Sequence, residues 1–180
     1  MLERVIRAAR LDASLYEEVE ADQSSMGQAT VVVVLASIAG GIGTAGIEGQ
    51  PGFVLGLVVN LIGWYIWAFL TYFIGTRLLP QPTTQADLGQ LLRTLGFAAA
   101  PLLLRVLGFI PGIGPLIIMA SAIWGLAAMI VAVRQALDYD STWRAVLVCL
   151  IGWLVQILII MIPFFVIGSF SPAVDHAPAA

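Results

Sequence analysis

The residue types that most often carry chemistry are few in this sequence and poorly placed for it. There is one histidine, His176, close to the C-terminus, and one cysteine, Cys149, inside an apolar run. A general base must be held in fixed geometry against the group it deprotonates, which a chain end does not provide. A lone cysteine can form no intrachain disulfide and no thiolate cluster for a metal. No catalytic residue, metal site or cofactor is therefore expected, and the chain reads as a non-enzyme.

One motif resembles a phosphate cradle. Gly41-Ile42-Gly43-Thr44-Ala45-Gly46 satisfies the dinucleotide-binding pattern and follows the strand-like run Val31 to Leu35. That fingerprint needs a βαβ unit and an acidic residue about 20 positions further on for the ribose. Here that distance reaches Tyr65, Ile66 and Trp67 inside another apolar run. The glycines fit helix packing better: Ala36, Ala39, Gly40 and Gly43, and again Gly52 and Gly56, approximate the small-residue spacings that let helix backbones approach closely in lipid.

The sharper candidates are polar residues inside apolar segments, because each needs a partner or a water-filled space there. Counted inward from the span ends at roughly 1.5 Å per residue, Asn60, Arg105, Ser121 and Gln156 all fall about 8–12 Å deep. They define one layer. Two readings stand: a small polar pocket or ion path, or an internal network that satisfies one arginine, including an arginine that snorkels outward. Pro101 should kink the same span one turn before Arg105.

The elements that must position these residues follow from composition. The 180 residues are 60% hydrophobic and 11% charged, whereas a soluble domain is roughly 45–50% apolar and about 25% charged. The apolar residues gather into runs near or above the roughly 18–20 needed to cross about 30 Å of hydrocarbon. The expected fold is an all-α integral membrane protein, a bundle of five transmembrane helices over residues 28–168. The spans are placed at 28–47, 53–75, 94–110, 115–137 and 143–168, followed by a disordered extracytoplasmic tail, 169–180. Between spans two and three, Pro80, Pro82, Thr83 and Thr84 mark a loop, with a helix start near Asp87. Pro111-Gly112-Ile113-Gly114-Pro115 makes spans three and four a hairpin. Trp64, Tyr65 and Trp67 lie too deep for an interfacial belt and read as packing residues.

All eight basic residues are arginine. With five spans, Arg4, Arg7, Arg10, Arg77, Arg93, Arg134 and Arg144 fall on one side and the opposite side gets none except Arg105, which is inside a span; this puts the N-terminus in the cytoplasm and the C-terminus outside. The absence of lysine beside abundant alanine suggests a bacterial genome and hence the inner membrane. The net charge of −3 without clustered cations argues against nucleic acid.

Residues 1–27 precede the first span as a cytoplasmic amphipathic segment. Leu2, Val5, Ile6 and Ala9 share one helical face beside Arg4, Arg7 and Arg10, which suits an anionic leaflet. Ser14 and Glu17 fit a capping box opening a second, acidic helix with Glu18 and Glu20. A lipid-facing basic half and a solvent-facing acidic half would make Arg4, Arg7, Arg10, Glu17, Glu18 and Glu20 candidate docking residues for membrane or partner; a frayed lead-in to the first span is the alternative.

In their order, Tyr16-Glu-Glu-Val-Glu20 leading through Gln28-Ala29, Gly96-Phe97-Ala-Ala-Ala-Pro101, Ile110-Pro111-Gly-Ile-Gly114, Trp124, Val133-Arg134-Gln135-Ala136 and Arg144-Ala145 resemble the Yip-type family of five-span membrane proteins, named for interaction with Ypt/Rab GTPases. The resemblance implies a cytoplasmic N-terminus, a five-helix bundle and a role in trafficking or membrane organisation. The sequence lacks the Asp-Leu-Tyr-Gly-Pro stretch of the eukaryotic members, so GTPase binding is not carried over. The leading expectation is a scaffold or accessory protein that binds protein partners, other membrane subunits or its own copies within the lipid; the alternative is a small oligomeric transporter or channel built on the layer around Arg105.

Overall fold

A computed structural model describes residues 1–48 and 53–169. Two short helices, α1 (Leu2–Ala9) and α2 (Ala13–Ala21), precede α3 (Met26–Glu48), α4 (Phe53–Phe73), α5 (Leu88–Ala98), α6 (Gly114–Ala136) and α7 (Thr142–Ser169). A π-helical turn, Ile74–Leu78, ends α4, and a 3-10 segment, Ala100–Phe109, extends α5. Among the described residues there is no strand, and five helical stretches are long and apolar enough to cross a membrane.

The third span is the centre of the bundle. In its most apolar window 61% of residues are buried, against 17–33% in the other four. Lipid is as apolar as the side chains, so close backbone approach rather than exclusion of water holds such helices together. The contacts show this: a Cβ on Gly96 would fall 2.7 Å from the Ala29 Cβ, and one on Gly43 would fall 1.9 Å from the Arg105 carbonyl oxygen. Only glycine permits either crossing. Gly56 by contrast meets open space, and Gly52 lies outside the described residues.

The third span starts at Leu88, ahead of the Thr94 expected from hydropathy, because Asp87 forms a complete capping box. The Gln90 amide nitrogen donates to Asp87 Oδ1 at 2.8 Å, and the Asp87 amide nitrogen to Gln90 Oε1 at 2.6 Å. Pro101 produces more than a kink: it stands at the first turn of the 3-10 segment, which carries the chain through ten residues to the hairpin. The hairpin is as tight as expected, with Gly112 in the left-handed region at φ +84° and the Gly114 amide donating to the Ile110 carbonyl at 2.8 Å.

Two N-terminal expectations are corrected. The cap of α2 is Asp12, not Ser14: its carboxylate accepts from both the backbone nitrogen and the hydroxyl of Ser14 at 3.0 and 2.6 Å. An ionised carboxylate accepts more strongly than a hydroxyl, so it takes the position. Nor do the basic and acidic halves part company. Arg4 pairs with Glu18 and Asp22 at 2.9 and 3.0 Å, and Arg7 with Asp12 and Glu18 at 2.8 and 2.6 Å. Opposite charges within a hairpin's reach satisfy each other, leaving Arg10 exposed and turning Leu2 and Ile6 outward.

Candidate functional site

Two regions gather functional-type side chains. The first is the face of the bundle that carries α1, α2 and the α4–α5 and α6–α7 connections. Arg93, buried on α5, donates from Nε to the Val19 carbonyl at 3.0 Å and from a terminal nitrogen to the Glu20 carbonyl. Those carbonyls belong to the last turn of α2, where unpaired oxygens and the negative end of the helix dipole favour a cation. Trp124, near the middle of α6, donates its indole N–H to the Ala9 carbonyl at the end of α1 at 2.7 Å. Gln135, near the end of α6, donates to the Glu17 carboxylate at 2.7 Å. Three distant side chains thus fasten the helix pair to the bundle.

Beside α2 opens a polar cleft of about 790 Å³ lined by Glu17, Thr83, Gln85, Arg134, Asp138 and Asp140 among others. Its floor is set by Tyr139, whose hydroxyl lies 2.7 Å from the Leu79 carbonyl and 3.1 Å from that of Gly75, oxygens around the π turn. Thr83 and Thr84 donate to the carbonyls of Asp138 and Leu137 at 3.1 and 3.0 Å, which ties the two connections together. Asp138 sits in the left-handed region just past α6, a conformation aspartate tolerates. Burial and the neighbouring carboxylates of Asp138, Glu17 and Asp87 push the Glu20 carboxyl up to about 7, with Arg93 pulling the other way. Hydrogen bonds from Ser14 and then from Arg7 hold Asp12 down at about 2.

Of the six candidate docking residues, Arg4, Arg7 and Glu18 are spent on one another, Glu17 is exposed but accepts from Gln135, and Glu20 is half-buried; Arg10 alone is exposed with neither an ion pair nor a side-chain hydrogen bond among the described residues. Arg93, Trp124, Gln135 and Tyr139 were not singled out as contact residues from the sequence. One signal was present for Arg93: it is the one charged residue in the stretch Leu88–Leu104.

The second region lies inside the bundle. A cavity of about 1160 Å³, walled by α3, α4, the third span, α6 and α7, is lined by Asn60, Arg105 and Gln156. Ser121 is not in its wall; it is buried and donates to its own helix at Ile118, 2.8 Å away. No hydrogen bond joins the four among the described residues. Asn60 donates to the Gly56 carbonyl of its own helix at 2.8 Å. Arg105 has no carboxylate within ion-pairing distance among the described residues, and its Nε is buried without an acceptor. The indole nitrogens of Trp64 and Trp67, both residues of the cavity wall, are buried without an acceptor too. Both tryptophans pack on the core, while Tyr65 is turned outward. A cation at the centre of a span costs roughly 2.5–3.5 kcal/mol, less nearer its end; Arg105, four residues from the end of its segment, is still an expensive feature with no ion pair among the described residues.

Five apolar spans, four of them around a glycine-packed third, with a helix pair fastened to one face, define a multi-pass helical membrane protein. Among the described residues no group of three or more histidine, cysteine, aspartate or glutamate side chains could hold a metal ion. The chain belongs to the Yip1 domain family, which it matches over residues 13–163. That family is generally one of non-enzymatic membrane proteins. Comparison with curated proteins and with solved structures gives no match.

Proposed function

We propose that this protein is a non-enzymatic scaffold or accessory protein of the bacterial inner membrane that binds protein partners through the face carrying α1 and α2, with the N-terminus cytoplasmic and the C-terminus outside. The one-sided arginines support the orientation, and membership of the Yip1 domain family supports a membrane-organising rather than catalytic role. The observation that carries the reading is the anchoring of α2 by Arg93. A segment held by a buried guanidinium is ordered before any partner arrives, so binding does not bear the full entropy of ordering it. The surface so presented is the cleft edged by Glu17, Asp138 and Asp140, which suits a basic segment of a partner protein.

The test is co-purification in mild detergent after crosslinking in native membranes. Deleting residues 2–22, or replacing Glu17, Asp138 and Asp140 together by lysine, should leave a stable inserted bundle that has lost the partners of the full chain. Retention of every partner by both variants would move the binding surface into the bilayer.

A further inference from the structure

The cavity around Arg105 calls for an occupant of definite chemistry. Arg105 does not snorkel towards the nearer membrane surface. Its carbonyl faces Gly43 while its Cδ lies beside Gly40, so the side chain runs back along α3 to about 12 Å from the Glu48 end, at roughly 1.5 Å per residue. The guanidinium is thereby committed to the interior. Around it the wall offers donors: the amides of Asn60 and Gln156, and the tryptophans Trp64 and Trp67 with their unaccepted indole nitrogens. Among the described residues no acidic side chain lines the cavity.

Apart from Ser37, whose hydroxyl is bonded to Val33 of its own helix, the rest of the wall is apolar. Val59, Leu126, Leu150 and Trp153, from α4, α6 and α7, line it and are themselves about half exposed or more, as the rim of a mouth towards surrounding acyl chains would be. Gly63 also lines it and faces open space. At about 1160 Å³ the volume exceeds the roughly 300–1,000 Å³ of a drug-sized ligand site, which leaves room for a headgroup and the upper parts of two chains.

We infer that this cavity binds one anionic phospholipid from the side, its phosphate held by Arg105 with Asn60 and Gln156 and its chains laid along the apolar wall. A guanidinium matches phosphate oxygens in bidentate geometry, and a zwitterionic lipid would bring a second cation into a pocket that has no carboxylate for it among the described residues. The inference is independent of partner docking on the face that carries α1 and α2.

The full chain, stripped of native lipid in detergent, is to be titrated with phosphatidylglycerol, phosphatidylcholine, oleate or inorganic phosphate, with bound mass read by native mass spectrometry and thermal stability followed alongside. One phosphatidylglycerol should be retained in preference to phosphatidylcholine. Arg105→Leu should weaken its retention roughly tenfold, the loss of one charge-assisted contact, and Arg105→Lys should restore a part. Gly63→Leu, which fills the cavity while leaving Arg105 in place, should exclude the lipid and decides the matter if Arg105→Leu does not fold. Equal retention of the two phospholipids, or undiminished phosphatidylglycerol in Arg105→Leu or Gly63→Leu, would overturn the site. An equal response to oleate or to inorganic phosphate would overturn the assignment to a phospholipid.

Discussion

Arg93 and Val19 are separated by 74 positions in the chain and joined by a hydrogen bond of 3.0 Å from guanidinium to carbonyl. The pair connects the central span to the last turn of α2, so replacing the arginine should release the N-terminal helices and leave the spans in place. Arg93→Leu leaves the Glu20 carbonyl without its guanidinium donor and the Val19 carbonyl with the Ser25 hydroxyl alone, a loss of about 1–3 kcal/mol. Hydrogen exchange over residues 2–22 should accelerate while protection of the spans persists. Unchanged exchange at the N-terminus would dissociate Arg93 from this anchoring role.

The same junction should respond to pH. Glu20 is raised by burial and nearby carboxylates from its ordinary value of 4.5 to about 7. A carboxyl whose folded value exceeds its unfolded one stabilises the folded form when protonated: the contribution is complete below about 4.5 and is lost as pH rises through about 7. Docking of α2 should accordingly be tighter at pH 5.5 than at pH 8.5. After correction for intrinsic exchange, protection of residues 13–21 should fall over that interval in the parent and stay flat in Glu20→Gln; parallel profiles would refute the assignment.

Packing of α3 on α5 offers a stricter test. In Gly96→Ala the new methyl would lie 2.7 Å from the Ala29 Cβ and 3.2 Å from its backbone, so one helix must move. Overpacking of this kind costs typically 1–3 kcal/mol. Ala29→Gly in the same chain should recover much of the loss, because the two sites share one contact. Thermal unfolding in detergent gives the coupling, and strictly additive effects would mean that the crossing is looser than described.

Orientation is open to labelling. In a Cys149→Ala background, single cysteines at Gln81 and Asp140 should be shielded from an impermeant thiol reagent in intact cells, while those at Gln50 and Ala177 react. Reaction at Gln81 from outside would reverse the proposed topology.

Apolar runs and the tight hairpin made the five spans legible in the sequence, since hydropathy and Gly/Pro punctuation act locally. The helix start at Asp87 was legible for the same reason. The state of the N-terminal pair was not: whether Arg4 faces lipid or Glu18 depends on a turn through Leu11, a non-glycine residue at φ 61°, which no periodicity announces. Nor could composition tell that Asn60, Arg105 and Gln156 would share one cavity wall while Ser121 turned back onto its own helix. Depth along a span can be counted from sequence, but azimuth around it depends on how the helices rotate against one another.

Azimuth is also what the 3-10 segment controls. At three residues per turn, side chains three apart stack in a straight line, whereas in an α-helix the same spacing drifts by about 60°. Leu102, Arg105 and Gly108 therefore form one ridge, and its members meet Gly125, Gly40 and Ile118 respectively. Rewinding Ala100–Phe109 as α-helix would break that alignment and swing the guanidinium away from its neighbours on either side. The winding that begins at Pro101 thus acts as a compass setting, fixing the bearing of the only arginine in this segment.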